Sequence, residues 1–310
     1  MTGRIVRGLE AVAPAPSVVS IGFFDGVHRG HQAIISRAMQ RAEADGVRGV
    51  VVTFDRHPME VVAPGSQPRL LQTLARRAQT LAECGVDLVV VLPFDDALRH
   101  LPADEFVEHV LLGSLQARSV VVGENFRFGH RASGDLSTLA ELGEVRGFDA
   151  EGVTLLADDS GAAISSTEIR GALDAGDVAR ARAMLGRPHA VDGVVVRGDQ
   201  RGKGLGFPTA NLHVDPRVAV PAPGVYASVF HHPDGRALPG ATSVGTNPTF
   251  GGQELRVEAY LLDVDEDLYG IEAGLDFREH VRGEVRFDVV DDLVAQMHDD
   301  VAAVRRLLGA

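Results

Sequence analysis

Apolar, β-branched runs alternate with amphipathic stretches through the first half of the chain. Strand-like runs lie at 18–24, 49–54, 86–92 and 119–123, and helix-like patterns lie at 32–44, 71–83, 103–111 and 136–142. Strands that are apolar on both faces and alternate with helices are typical of a parallel sheet covered on both sides. The pattern therefore predicts a parallel α/β domain.

The pattern changes after two short helical segments at 167–174 and 178–185. Residues 186–188, Gly-Arg-Pro, break the helical periodicity. Short strand-like runs separated by turn residues follow at 191–197, 225–230, 256–262 and 284–289. They predict an antiparallel β-barrel. Apolar residues spaced along one helical face between 291 and 308 predict a terminal helix that packs on this barrel. We therefore expect two domains, 1–186 and 187–310.

Composition limits the partners. The net charge of −13 and the lack of a basic stripe disfavour nucleic acid. No segment reaches the roughly eighteen apolar residues of a membrane span, so we expect no membrane partner. The first residues do not resemble a secretory signal, and the single Cys84 cannot form an internal disulfide, which favours a cytoplasmic protein. A homo-oligomer is compatible with the sequence, which leaves the oligomeric state open.

Candidate chemistry appears where the first long strand meets a helix. The segment GFFDGVHRGH at 22–31 places three glycines and two histidines in this connection. Glycine permits a tight turn, and the N-terminus of a helix after a parallel strand attracts phosphate. His28 and His31 are three residues apart, so on a helical turn both rings face one side and can donate to one polyphosphate.

Three further segments follow in order: TFDRHP at 53–58, VGENFRFGHRASGD at 122–135 and ISSTEIRGAL at 164–173. Together with the histidine segment they resemble the Rossmann-like nucleotidyltransferase half of bacterial bifunctional riboflavin kinase/FMN adenylyltransferases. The resemblance implies that His28, His31 and Arg170 are catalytic. It implies nucleotide or flavin contacts from Gly22, Phe23, Asp25, Gly30, Asn125, Ser165, Ser166 and Thr167. Arg170 and the three hydroxyls at 165–167 would hold the leaving pyrophosphate. Asn125 replaces an Asp that is frequent in the family, which favours a substrate contact over a metal ligand.

A glycine-rich loop follows the first strand-like run of the second half. The segment GVVVRGDQRGKGLGFPTAN at 193–211 lacks the Gly-Lys-Ser/Thr of a Walker loop. With GVYA at 224–227, SVGTNPTFGG at 243–252 and VEAYLLDVDEDLYG at 257–270, it resembles the flavokinase half of the same family. The resemblance implies that Glu258 is the catalytic base and that Thr209 and Asn211 bind Mg²⁺. It implies substrate contacts from Gly198, Lys203, Gly204, Phe207 and Asn211.

The resemblance as a whole implies a two-step synthesis of flavin cofactors. Riboflavin is phosphorylated by ATP to FMN, and FMN is adenylylated by a second ATP to FAD with release of pyrophosphate. Mg²⁺ would accompany ATP, while FMN and FAD would be products rather than prosthetic groups. Two alternatives stay open, namely an enzyme with a single activity and a flavin- or nucleotide-sensing module without turnover. Spacing alone supports a nucleotide-binding α/β domain with a β-barrel partner.

Overall fold

The computed structural model describes residues 3–158, 161–198, 201–249 and 252–310. The chain divides into two compact units. One unit comprises Met1–Pro68 and Thr73–Ser165, and the other comprises Arg69–Gln72 and Ser166–Ala310. The helical segments between 166 and 185 thus belong to the second compact unit, while the domain boundary at 186 stays a prediction.

The described residues of the first unit form a six-stranded sheet in the order β1-β4-β3-β2-β5-β6, in which each neighbouring pair is parallel. The strands are β1 (Arg4–Arg7), β2 (Ser17–Ile21), β3 (Arg48–Phe54), β4 (Leu88–Leu92), β5 (Ala117–Gly123) and β6 (Asp149–Val153). Every residue of β2 and β4 is buried, as expected for strands covered on both faces. The predicted parallel α/β fold is confirmed.

Helices connect these strands. They are α1 (Arg29–Asp45), α2 (Pro58–Val62), α3 (Leu74–Ala82), α4 (Asp96–His100), α5 (Ala103–Phe106) and α6 (Leu136–Arg146), with a π-helical segment at Val107–Ser114 after α5. Gly46 caps the C-terminus of helix α1, and its φ of 62° is a conformation that glycine adopts readily. Its apolar face, including Ile34 and Ala38, packs on Val18 and Val121 of β2 and β5.

The strand order reverses at β2. From β2 the chain runs outward through β3 and β4 on one side, where the earlier strand β1 forms the edge, and later through β5 and β6 on the other side. In doubly wound sheets a ligand crevice lies beyond the carboxyl ends of the strands at such a reversal. The connection 22–28 leaves β2, and the loop 124–135 leaves β5. Both therefore begin at the expected ligand edge.

The second unit contains a closed six-stranded barrel in the order β10-β11-β8-β7-β12-β9, with all neighbouring pairs antiparallel. Its strands are β7 (His189–Val196), β8 (Ala210–Val214), β9 (Gly224–His231), β10 (Ala237–Thr249), β11 (Gly252–Leu261) and β12 (Glu272–Gly283). Tyr226, Phe230 and Phe277 are fully buried. The predicted antiparallel barrel is confirmed.

The helices of the second unit are α7 (Ser166–Asp174), α8 (Val178–Leu185), α9 (Arg201–Gly204) and α10 (Val290–Leu308). The terminal helix α10 packs against the barrel through Val304, which clusters with Ala227 and Leu262. Arg282 of β12 donates to both carboxylate oxygens of Asp300 on α10, at 2.8 and 2.7 Å. This two-point contact fixes the orientation of the predicted terminal helix.

The strand predicted at 284–289 is wrong. Strand β12 ends at Gly283, and residues 284–289 belong to no strand. Val285 and Val289 are each 53% exposed. The alternating pattern is present, but the barrel closes through the pairing of β12 with β9, so no neighbouring strand covers this apolar face.

Candidate active sites

The turn after β2 has an unusual backbone. Phe24, Gly26 and Val27 have φ values of 57°, 79° and 42°. For a residue other than glycine, such a conformation costs about 1–3 kcal/mol and tends to occur where a ligand binds. The turn carries the chain directly from the reversal point of the sheet into helix α1.

The two predicted histidines lie together at the start of α1. Nδ1 of His28 accepts a hydrogen bond from the backbone N–H of His31 at 3.3 Å and so caps the helix. The two rings stack with centroids 3.5 Å apart and planes 22° apart. The ring of Phe24 meets His31 edge-on at 5.2 Å. The position of the two rings is thus fixed by the hydrogen bond to the backbone of His31 and by the ring of Phe24.

The environment of His31 favours its neutral form. Burial and the neighbouring His28 lower the pKa of His31 well below 6.5. Its Nδ1 is buried and has no hydrogen-bond partner within the described residues. A buried polar atom without a partner is costly, so a ligand oxygen or water at this position would stabilise the site.

Two of the glycines predicted to contact the nucleotide or flavin, Gly30 and Gly22, are packed closely against neighbouring side chains. A Cβ at Gly30 would lie 3.2 Å from the His28 ring and 3.6 Å from the carbonyl oxygen of Ile164. The segment that leads into Ser165 therefore approaches the first turn of α1. A Cβ at Gly22 would lie 3.1 Å from the Phe24 ring. Glycine at both positions leaves room for this packing.

Sequence reasoning missed Arg77, which lies on α3 and is only 1% exposed. Its Nη2 donates to the carbonyl of Phe54, and its guanidinium carbon lies 4.0 Å from the ring centroid of Phe23. Burial lowers the pKa of Arg77 to about 10, opposed by the nearby Asp25 and other carboxylates, so the group stays charged at neutral pH. The available signal was its position four residues before the buried Leu81, on the apolar face of the helix.

Aromatic side chains line the loop after β5. The rings of Phe126 and Phe128 stack with centroids 5.5 Å apart, and Phe128 lies 5.8 Å from Phe106. The exposed Asn125 turns back over the strand end, because a Cβ at Gly123 would lie 3.2 Å from its Oδ1. The nucleotide or flavin contact expected from Asn125 stays a prediction.

The segment 165–170, which is predicted to hold pyrophosphate, is divided between the two compact units. Ser165 ends a segment of the first unit, whereas Ser166, Thr167 and Arg170 belong to the second. Nε of Arg170 donates to the carbonyl of Arg69 at 2.6 Å. The clamp on the leaving pyrophosphate that is predicted for these four residues stays a prediction.

A cavity of about 580 Å³ opens at the carboxyl ends of β1 and β4. No sequence motif predicts this cavity. Its walls include Leu9, Leu98, Leu101 and Val110, together with the charged Arg7. Asp55, which follows β3, also lines the cavity. The cavity therefore extends towards the end of β3, the strand next to β2.

In the barrel, Asn211 and Glu258 are paired directly across β8 and β11. Directly opposite residues of an antiparallel pair project to the same face with Cβ atoms about 4.5–5.5 Å apart. Nδ2 of Asn211 donates to the carbonyl of Thr209 at 3.5 Å, and Oε1 of Glu258 lies 3.7 Å from Nη1 of Arg256. The structure thus brings three of the predicted kinase residues together.

The glycine-rich loop meets the same site. A Cβ at Gly198 would lie 2.6 Å from the Asn211 side-chain amide, so the backbone of the loop lies directly on that amide. The ring of Phe207 packs 5.2 Å from Tyr260 and 4.9 Å from His298 of the terminal helix. Gly204 is exposed at the end of α9, and the side chain of Lys203 lies outside the described residues.

A second cavity, of about 430 Å³, lies beside Thr209. Ala259 and Leu261 of β11 face it, as do Pro208 and Tyr269. Because side chains alternate along a strand, Glu258 projects to the opposite face of β11. Thr209 therefore lies next to the cavity, and Glu258 lies across the strand from it.

Two family models match the chain. The model described as FAD synthetase covers residues 11–168, and the one described as riboflavin kinase covers residues 185–308. The bifunctional riboflavin kinase/FMN adenylyltransferase of Escherichia coli (strain K12) is 37% identical over 309 residues, which are 99% of this chain and 98% of that protein. The protein of the same description from Pseudomonas fluorescens is 40% identical over 307 residues, covering 98% and 97%.

A solved structure from Streptococcus pneumoniae, described as a macrolide-efflux protein, has a TM-score of 0.88 and 31% identity to this chain. It covers 98% of this chain and 99% of its own. Its description differs from those of the sequence relatives, which agree with both family models. Within the described ranges, no helix is both long and apolar enough to cross a bilayer.

The resemblance seen in the sequence motifs is confirmed. Each half of the chain matches its own family model, and full-length relatives combine the two halves in one protein. The chain belongs to the family of bifunctional riboflavin kinase/FMN adenylyltransferases.

Proposed function

We infer that this chain converts riboflavin to FMN and FMN to FAD, using one ATP in each step. The observation that carries this inference is the presence of two different constellations in one chain. A stacked histidine pair lies at the reversal point of the parallel sheet, and Glu258 lies opposite Asn211 in the barrel. Each constellation occurs in the half that the corresponding family model matches.

In the kinase step, Glu258 would accept the proton of the riboflavin 5′-hydroxyl as that oxygen attacks the γ-phosphorus of ATP. The bond from the γ-phosphorus to the β,γ-bridging oxygen breaks, and ADP leaves. Thr209 would orient the phosphate end of ATP, and Asn211 lies on the same face of the barrel sheet as Glu258. The backbone of the loop at Gly198 would keep the Asn211 amide in place.

The two predicted metal ligands, Thr209 and Asn211, fit Mg²⁺. The Thr209 hydroxyl and the Asn211 amide oxygen are hard oxygen donors, and Mg²⁺ prefers oxygen while keeping several waters. Bound Mg²⁺ would offset the charge that develops on the transferred phosphoryl group.

In the adenylyl step, an FMN phosphate oxygen would attack the α-phosphorus of ATP, and the bond to the leaving pyrophosphate would break. His28 and His31 would donate N–H groups to phosphate oxygens as negative charge develops. The buried Nδ1 of His31, which lacks a partner in the described residues, supports a ligand oxygen at this position. Arg170, Ser165, Ser166 and Thr167 would hold pyrophosphate.

The remaining predicted contacts stay proposals. We assign nucleotide or flavin contacts to Gly22, Phe23, Asp25, Gly30, Asn125, Gly198, Lys203, Gly204 and Phe207. The close approach at Gly30 and Gly198 supports backbone contacts there. The domain boundary at 186, a cytoplasmic location, a homo-oligomer and the lack of nucleic-acid or membrane partners also stay at the level of sequence predictions.

We propose that the 580 Å³ cavity receives the isoalloxazine ring of FMN. Its strands β4 and β1 are two and three places from β2 in the sheet, or roughly 10–14 Å at about 4.8 Å per strand. A ribityl chain could bridge from there to a phosphate at the histidines. Leu98→Trp should fill the cavity and raise the KM for FMN about tenfold, with the KM for ATP unchanged. An unchanged KM for FMN would place the ring elsewhere.

Chromatography of flavins tests the function as a whole. Purified protein is incubated with ATP and Mg²⁺, with riboflavin in one reaction and FMN in the other. FMN followed by FAD in the first, and FAD in the second, is the expected result. FMN without FAD would leave a kinase alone, FAD from FMN only would leave an adenylyltransferase, and binding without product would favour a sensing module.

A further inference from the structure

A charged side chain is among the largest that are fully buried in the described residues. Arg77 shares one face of α3 with Ala78, Leu81 and Ala82, all of which are buried. Taking a guanidinium out of water is costly, and an apolar side chain of similar volume is often at least as stabilising. Fold stability alone therefore does not explain an arginine at this position.

The contacts of Arg77 join the ends of two neighbouring strands. Nη2 donates to the carbonyl of Phe54 at the end of β3, and the guanidinium lies over the ring of Phe23, two residues after β2. A planar guanidinium can stack on a ring and donate in its own plane at once, which an ammonium group cannot do. Arg77 thereby fastens the turn after β2 to β3.

Carboxylates offset the buried charge. Asp25, Asp55 and Glu60 attract Arg77 electrostatically, which keeps it cationic although burial lowers its pKa to about 10. Asp25 belongs to the turn that precedes the histidines and is itself 3% exposed. The negative charge of Asp25 thus offsets part of the cost of burying Arg77.

The turn requires such an anchor. The positive φ values of Phe24 and Val27 are retained only where surrounding contacts over-determine the backbone. Phe23, which enters the turn, is held by Arg77 over its ring and by Thr53, whose hydroxyl donates to its carbonyl at 2.9 Å. Without Arg77, the ring of Phe23 loses its stacked partner, and the turn loses one of these constraints.

We propose that Arg77 is a positioning residue for the adenylyltransferase site, which fixes Phe23 and thereby holds His28 and His31 in their stacked arrangement. The inference rests on the proposed function of the first unit. Arg77 acts through the turn rather than on the substrate, because its side chain is enclosed by protein. It adds a residue to the site that none of the sequence motifs contains.

The kinetic test compares Arg77→Met with Arg77→Lys and Arg37→Met. Methionine keeps the apolar stem but removes charge and stacking plane, and we expect kcat for FAD formation to fall roughly 10²-fold, because small misplacements of catalytic groups have effects of this size. The KM values and the kinase rate should change less than about threefold. Lysine should restore part of the rate. The control Arg37→Met removes an exposed ion pair with Glu151 and should change neither activity.

Histidine NMR gives a readout that does not depend on activity. Rings stacked at 3.5 Å shift each other's proton resonances, so Arg77→Met should move the signals of His28 and His31. Wild-type protein that forms no FAD would refute the proposed function, and the NMR comparison would still test Arg77.

Two results would overturn the inference. One is a folded Arg77→Met protein with unchanged histidine signals or with a kcat for FAD formation within about twofold of wild type. If Arg77→Met does not fold, Arg77→Lys is the variant that tests the inference. Wild-type kcat and wild-type histidine signals in folded Arg77→Lys would then show that Arg77 has only a structural role.

Discussion

The two candidate sites of this chain differ in their backbone conformation: one lies on a turn with positive φ values, and the other lies on paired β-strands. The histidines follow a turn with positive φ values at Phe24 and Val27, and their surroundings are buried and include the charged Arg77. Asn211 and Glu258, which we propose for the kinase site, occupy facing positions of an antiparallel ladder. The first site depends on tertiary contacts that maintain an unfavourable conformation, whereas the second depends on strand register. Mutations should therefore damage them in different ways.

The largest effect should come from the kinase base. Glu258→Gln keeps the shape of the side chain but removes the proton acceptor, so FMN formation should fall about 10²–10⁴-fold. FAD formation from added FMN should not change. Both rates are measured on the same preparation, and an equal loss of both in a folded protein would contradict the assignment of two sites.

His31→Ala should produce the reverse pattern. Loss of the donor to developing charge should lower kcat for FAD formation about 10²–10³-fold, while FMN formation stays the same. His100→Ala serves as a control, since it removes a histidine that stacks with His130 in the same unit. If His100→Ala reduced FAD formation as strongly as His31→Ala, the assignment of the stacked pair at α1 would fail.

Gly198→Ala should affect the barrel site more moderately. The added Cβ would lie 2.6 Å from the Asn211 amide and must displace it, so we expect the kinase rate to fall about tenfold. Gly283→Ala is the matched control, because a Cβ there has no neighbour within 4 Å. Equal rates for the two variants would show that the loop does not position Asn211.

The smallest effect concerns pH and the first site. Because the pKa of His31 is lowered in the folded protein, the unfolded chain binds more protons below pH 6.5, and stability should fall as the pH falls from that value. One such group contributes at most about 1.4 kcal/mol per pH unit. His31→Gln should flatten the pH dependence of the unfolding free energy between pH 6.5 and 5. Parallel curves would contradict a neutral, buried His31.

The buried strands of the first sheet could be predicted because β2 and β4 are apolar on both faces. Strand β1 has four residues with an arginine at each end, and β6 has the polar sequence DAEGV, so neither shows the pattern of a buried strand. Edge strands have only one neighbour in the sheet, and their sequences are correspondingly less constrained.

The site was accessible from the sequence only where its groups are close along the chain. The spacing of His28 and His31 predicts that their rings lie on one side, and the structure shows them stacked. The pairing of Asn211 with Glu258 joins strands far apart in sequence, and spacing alone cannot provide their register. Arg77 could not be identified as a site residue, because its role arises from tertiary packing around Phe23.

The register of β8 against β11 determines which side chains of the proposed kinase site project to the same face of the barrel sheet. Ala259 and Leu261, at odd-numbered positions, border the cavity beside Thr209, while Glu258, at an even-numbered position, faces the other way. A single residue inserted before Glu258 that shifted the strand by one place would exchange these faces, although every side chain would still be present. Length variation in homologues of this enzyme should therefore collect in the connections between barrel strands, while the distance in sequence from Glu258 to the end of β11 stays constant.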